Sequence, residues 1–194
     1  MKKLKLSLLA IALIMATAVS AQVSFGIQGG VNLSNLSGGG DYHSPRVGLN
    51  GGILTDFGLT HNTGIRSGLF FHTKGFKRDY YMENTNLMYL QIPIHFAYFV
   101  DVMPGTRIVF HGGPYIAYGV GERFETDGVR RTYTMFGDNG RYNPFDWGLG
   151  FGVGFEFGRF LTGIGWDMGL LNISNNADAT HRNMNAHLTF GFRF

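Results

Sequence analysis

The chain has 194 residues, with 16 Lys and Arg against 13 Asp and Glu, 30 glycines and no cysteine. Without cysteine there can be no disulfide, no thiolate metal centre and no lipid-modified cysteine anchor. The formal charge of +3 belongs to the first 21 residues, which hold Lys2, Lys3, Lys5 and no acid; residues 22–194 carry 13 basic and 13 acidic side chains, so the electrostatic case for nucleic-acid binding disappears.

Residues 1–21 read as an export signal. The three lysines precede an apolar stretch from Leu6 to Val19 and the small-residue cleavage site Val19-Ser20-Ala21. That stretch, about fourteen residues, is shorter than the roughly 20 a membrane-spanning helix needs. Cleavage after Ala21 leaves residues 22–194 as one domain.

Beyond the signal no segment shows a sustained 3.6-residue apolar stripe. Eight runs alternate with period 2 instead: 23–34, 46–59, 63–76, 87–100, 106–120, 145–157, 160–172 and 183–194. Long polar connections follow the first, third, fifth and seventh runs, at 35–45, 77–86, 121–144 and 173–182. Short ones at 60–62, 101–105 and 158–159 follow the others. This pattern predicts an all-β fold, an eight-stranded antiparallel up-and-down transmembrane β-barrel of a Gram-negative outer membrane, with long loops outside and both termini periplasmic.

Along the chain, the alternation turns Arg46, Asn50 and Asp56 of the second run inward, then Arg66, Phe70, His72 and Lys74, then Tyr89, Gln91, His95 and Phe99, then Arg107 and His111. Pro93 and Pro114 lack the N–H a ladder requires, which predicts a bulge or a locally unpaired wall on these neighbouring strands. The sixth and seventh runs check each other. A two-residue hairpin at Gly158-Arg159 puts Phe157 and Phe160 on one face. Counting from both gives apolar outward sets and an inward set of glycines with Asp146, Glu156 and Asp167. The glycines at 148, 150, 152 and 154 lie at period 2 inside a strand, not in the strand–turn–helix context of a phosphate loop. They predict a smooth wall that leaves room for large side chains from elsewhere. Because unpaired charge in a dry lumen costs several kcal/mol, Glu156 and Asp167 should pair with members of the set Arg66, Arg107 and Arg193.

The eighth run ends Phe190-Gly-Phe192-Arg-Phe194, which reads as the closing strand and the signal recognised by the barrel insertion machinery. The longest loop, 121–144, contains Arg123, Phe124, Arg130, Arg131, Tyr133, Phe136 and Tyr142. Arginine with aromatics is the composition of contact surfaces, so this loop is the candidate site for an envelope protein partner.

Several segments in order resemble one family: Phe25 to Leu36, Tyr89-Leu-Gln-Ile-Pro-Ile-His95, Gly113-Pro-Tyr-Ile-Ala-Tyr118, the glycine-rich sixth strand and Asp167-Met-Gly-Leu-Leu-Asn-Ile173. It is the outer-membrane β-barrel family that includes the secretion-associated PorT protein. The resemblance spans essentially all of residues 22–194. It implies an eight-stranded, porin-like outer-membrane barrel, carries over no catalytic residue, and leaves the PorT role itself open because the family is functionally broad.

Enzyme chemistry has one candidate fragment, Asp41-Tyr-His43-Ser44, with Asp178 and His181 in another loop. Nucleophilic catalysis needs these groups within hydrogen-bond reach and an orienting third group, which loop neighbours do not supply. A metal site on His43, Asp178 and His181 meets the same objection. The reading is therefore a non-enzymatic structural or interaction module of the envelope, linked to a secretion assembly, with no cofactor and no metal, surrounded by outer-membrane lipid. The alternative is a narrow channel or small-molecule binder.

Overall fold

The computed structural model describes residues 22–38, 44–78, 83–126, 129–131, 136–137, 140–176 and 179–194. The predicted signal segment, Asp41, His43, Tyr133 and Asp178 lie outside the described residues. Nine strands form in chain order: β1 Val23–Ser37, β2 Ser44–Gly58, β3 Thr63–Arg78, β4 Glu83–Met103, β5 Thr106–Thr126, β6 Val129–Arg131, β7 Phe145–Phe157, β8 Phe160–Gly169 and β9 Arg182–Arg193. Eight of them make a ring in which every neighbour is antiparallel. β9 closes the ring onto β1, from Gly26 opposite Arg193 to Ser37 opposite Arg182.

The alternation behind this closure is visible in exposure. Leu49, Ile53, Phe96, Phe151, Ile164 and Phe190 each expose more than half their surface on the outer face. Such a girdle is tolerable only against hydrocarbon. Their strand neighbours Asn50, Leu54, His95 and Thr189 are buried. The Gly158-Arg159 turn pairs Phe157 with Phe160, as the hairpin count requires.

Of the two alternatives for Pro93 and Pro114, the structure has the locally unpaired wall and not the bulge: β3–β4 pairing steps from Ser67 opposite Ile94 to Phe70 opposite Gln91, and β4–β5 pairing from Pro93 opposite Tyr115 to Phe96 opposite Gly112, with register kept. The Ser67 hydroxyl donates to the Pro93 carbonyl at 2.7 Å, satisfying an acceptor beside the gap. The bulge lies higher, where Met88 faces Gly121 and Tyr89 faces Gly119, leaving Val120 extra. Finally, β4 and β5 run to 21 residues each, about twice what the bilayer needs, and β5 folds back through β6. Phe124, inside a segment read as a loop, is buried in one cluster with Leu87; an inward apolar face keeps the strands going beyond the membrane.

Gly158 holds φ +57°, and a Cβ there would meet nothing within 4 Å. The cost of a side chain is therefore purely conformational, about 1–2 kcal/mol for a left-handed L-residue. Gly158→Ala should lower the unfolding free energy of the barrel by that amount, read from urea titration in lipid vesicles, and an unchanged midpoint would show that the turn relaxes freely.

Candidate functional site

The lumen is the one region where side chains from all eight strands converge, and it is organised in layers. At the short-turn end, Asp56 and Arg66 are cross-strand partners on β2 and β3, and Arg107 and Glu156 on β5 and β7. Arg66 spans the lumen between them: Nε donates to Asp56 Oδ1 at 2.8 Å and Nη2 to Glu156 Oε1 at 2.8 Å. Arg193 from β9 donates through Nη2 to Asp56 Oδ2 and Glu156 Oε1, both at 2.7 Å. Arg107 Nε donates to the other Glu156 oxygen and stacks over Phe99, 4.5 Å from its centroid. Three guanidinium groups thus share two carboxylates. Bidentate, charge-assisted geometry of this kind is what permits burial of so much charge.

The middle layer is built on Asp167, Gln91 and Lys74. Asp167 Oδ2 accepts from Gln91 Nε2 at 3.2 Å and Asn185 Nδ2 at 3.3 Å, with His187 Nδ1 at 3.8 Å. Lys74, wholly buried, donates to Gln91 Oε1 at 2.7 Å and lies 4.9 Å from the Tyr115 ring centroid and 5.5 Å from that of Tyr89. Aromatic faces here take part of the place of water around the ammonium. His95 and His111 stack, their Nδ1 atoms 2.9 Å apart, so one ring donates to the other. The glycine wall of β7 makes this possible: a Cβ at Gly150 would sit 2.7 Å from Asp167 Oδ1 and 2.9 Å from His95 Nε2, and one at Gly152 2.7 Å from His111 Nε2.

At the long-loop end, Asp146 Oδ2 accepts from Asn183 Nδ2 at 2.9 Å and from the Tyr115 hydroxyl at 3.2 Å. Above it Leu36, Phe76, Leu87, Phe124, Tyr142 and Ile173 form an apolar plug. Between the layers lies a cavity of about 60 Å³ bordered by Arg66, His72, His95, Glu156, Asp167 and His187, room for a handful of waters at roughly 15 Å³ of such volume each, and a recess of about 220 Å³ opens at the short-turn end beside Arg107 and Glu156.

Of the lumen residues singled out from sequence, Arg66, Arg107 and Arg193 meet on Glu156, whereas Asp167 belongs to the layer above and has amide and imidazole neighbours. The arginine expectation for Asp167 is thereby corrected: the strand stagger sets it nearer Lys74 and His187. Sequence reasoning missed Asp56 as a second acceptor. The signal was present, since Asp56 and Arg66 are equidistant from the turn at His61.

The proposed contact loop needs a larger correction. Phe124 and Tyr142 are buried in the plug, and Phe136 packs against it, 5.4 Å from the Tyr89 ring. These three aromatics face inward, because the extended hairpin carries the apolar alternation with it. Arg123 is exposed; Arg130 and Arg131 lie in β6, opposite Glu125 and Phe124. On β9, Phe190 and Phe194 are exposed, and Phe192 sits between Phe160 and Phe194 at 5.7 and 6.2 Å. His181 is buried beside Tyr142, with ring centroids 6.1 Å apart. Among the described residues no cluster of three or more His, Asp and Glu has metal-binding geometry.

The sequence matches the family described as outer membrane protein beta-barrel domain over residues 18–175. Solved structures of similar shape include Ail, the attachment invasion locus protein of Yersinia pestis, at 13% identity, covering 88% of this chain and 98% of that one with a TM-score of 0.49. Neisserial surface protein A follows at 11% identity, covering 89% and 99% with a TM-score of 0.48, and OprG from Pseudomonas aeruginosa at 13%, covering 88% and 95% with a TM-score of 0.47. No curated protein matches by sequence.

Removing one partner of a buried ion network leaves the others uncompensated, at about 3–5 kcal/mol. Glu156→Leu, which leaves Arg107 without a carboxylate and Arg66 and Arg193 with Asp56 alone, should fall in that range by urea titration. Arg107→Met should cost clearly less, since its side chain is 30% exposed and water can screen the loss. Equal losses would mean that the network is hydrated throughout.

Proposed function

Since this chain belongs to the family of outer membrane protein β-barrel domains, we propose that it is a non-enzymatic, non-conducting barrel of a Gram-negative outer membrane, exported by residues 1–21 and cleaved after Ala21. The closed lumen serves as a rigid scaffold, and the rim at the long-loop end meets an envelope protein partner. The observation that carries this reading is the filling of the lumen. Charged, imidazole and apolar layers succeed one another, with a cavity of about 60 Å³ between them and a recess of about 220 Å³ at the short-turn end, each below the roughly 300–1,000 Å³ of small-molecule sites. Those volumes speak against the channel and binder alternatives. At the rim, the exposed Lys77, Arg123, Arg141 and Arg182 stand among the half-buried Glu83, Glu122 and Glu125, so the rim offers charges of both signs to the partner. The resemblance to the PorT-containing family directs the search for that partner toward a secretion assembly.

Planar-bilayer recording tests the closed lumen: purified, refolded protein should give no stable unit steps. Reproducible steps abolished by enlarging a lumen side chain would replace the scaffold reading with a channel.

Insertion is tested separately. The Phe194 amide donates to the Phe25 carbonyl at 2.9 Å, so the terminal aromatic is held at the β1–β9 seam. If Phe190, Phe192 and Phe194 are the signal read by the insertion machinery, deleting Phe194 should reduce outer-membrane levels severalfold in fractionated cells. Normal insertion of the truncated chain would reduce this residue to an interfacial aromatic.

A further inference from the structure

The middle layer of the lumen holds more imidazole than its carboxylates can balance. His95 of β4 and His111 of β5 stack with their Nδ1 atoms 2.9 Å apart, a contact that lasts only while one of these nitrogens carries the hydrogen and the other accepts it. Protonation of both rings makes both Nδ1 atoms donors and breaks the bond. His72 of β3 and His187 of β9 border the same cavity, their ring centroids 6.0 Å apart. His72 Nδ1 and His95 Nε2 have no hydrogen-bond partner among the described residues.

Charged groups face these rings from several walls. β3 brings Lys74 and Arg66, the latter opposite His95 in the ladder; Arg107 comes from β5, Arg193 from β9, Asp56 from β2, Glu156 from β7 and Asp167 from β8. The three guanidinium groups take up Asp56 and Glu156 and leave one positive charge over. Asp167 is the remaining carboxylate of the layer, and the buried Lys74 already offsets it. Asp146 sits a layer above, bonded to Asn183 and Tyr115. A proton added to any of the four imidazoles is therefore a buried charge with no acid left to match it.

Protons reach this layer from the short-turn end. The open recess there and the cavity between the layers share Glu156 as a wall, whereas at the other end the plug buries Leu36, Phe76, Leu87 and Ile173.

We propose that the imidazole layer is an acid-sensitive device: unprotonated it ties the strands together across the lumen, and acid weakens the barrel from within. Imidazoles ordinarily titrate near pH 6.5. Below that pH the layer either refuses a proton that the unfolded chain accepts or takes it and gives up the His95–His111 bond, and both outcomes favour the unfolded chain. Carboxylates ordinarily titrate about two pH units lower, so their protonation falls outside this window. The inference depends on the closed lumen and not on the partner.

Urea unfolding in lipid vesicles at pH 7.5 and pH 5.5 tests it. Each imidazole that the fold keeps unprotonated raises the unfolding equilibrium constant about tenfold between these two values, so a rise of about tenfold or more is expected. His95→Asn sets an amide near the place of Nδ1, able to donate to His111 but unable to titrate, and should cut the rise by about tenfold. Should that variant fail to fold, His111→Asn tests the same bond from the other ring. His61→Asn, in a turn where the side chain is 83% exposed, should leave the rise unchanged. Equal unfolding constants at the two pH values, or a rise undiminished in both the His95→Asn and His111→Asn proteins, would overturn the proposal.

Discussion

A peptide group facing hydrocarbon has no water to bond, so every N–H and C=O of a membrane-spanning sheet must find its partner within the chain. For this protein that constraint is met at the seam where β9 lies along β1, with pairs running from Gly26 and Arg193 to Ser37 and Arg182. Once eight strands have closed, the diameter is set, and at this strand number the interior holds side chains and little else. The aromatic and aliphatic girdle outside and the dense polar interior are two consequences of the same closure.

Inside, volume and charge have to be settled together. Arginines, imidazoles and tyrosines from β3, β4, β5 and β9 are too large for a narrow barrel unless another wall recedes, and β7 recedes by presenting Gly148, Gly150, Gly152 and Gly154. The side chains that fill this space are mostly polar, so they must satisfy one another. Glu156 serves three guanidinium groups, Asp167 two amides and a nearby imidazole, and Asp146 a tyrosine and an asparagine. The apolar plug then seals the long-loop end. In a barrel organised in this way the interior is filled by the chain's own side chains.

How far the site was legible depended on whether a contact is local. Asp56 with Arg66 follows from counting outward across the turn at His61, as Phe157 with Phe160 follows from the Gly158-Arg159 hairpin. Arg66 with Glu156 does not, because it crosses the lumen between strands 90 residues apart. The same distinction explains the errors. Phe124, Phe136 and Tyr142 look like loop aromatics in sequence, and only the continued β4–β5 hairpin shows that they turn over the mouth of the barrel. Pro93 and Pro114 left a bulge and an unpaired wall equally open; the ladders are interrupted there with register kept, and a register shift falls instead at Val120, where no residue type announces it.

The sequence by itself determined the number of strands, their faces and their short turns, because period-2 alternation and hairpin geometry are properties of neighbours along the chain. The identities of the lumen residues followed from the same alternation. Which of them meet was decided only by the closed ring, since strand tilt and stagger set the height of each side chain across the lumen. Those heights brought Arg66 and Arg193 together on Glu156 and put Asp167 a layer away.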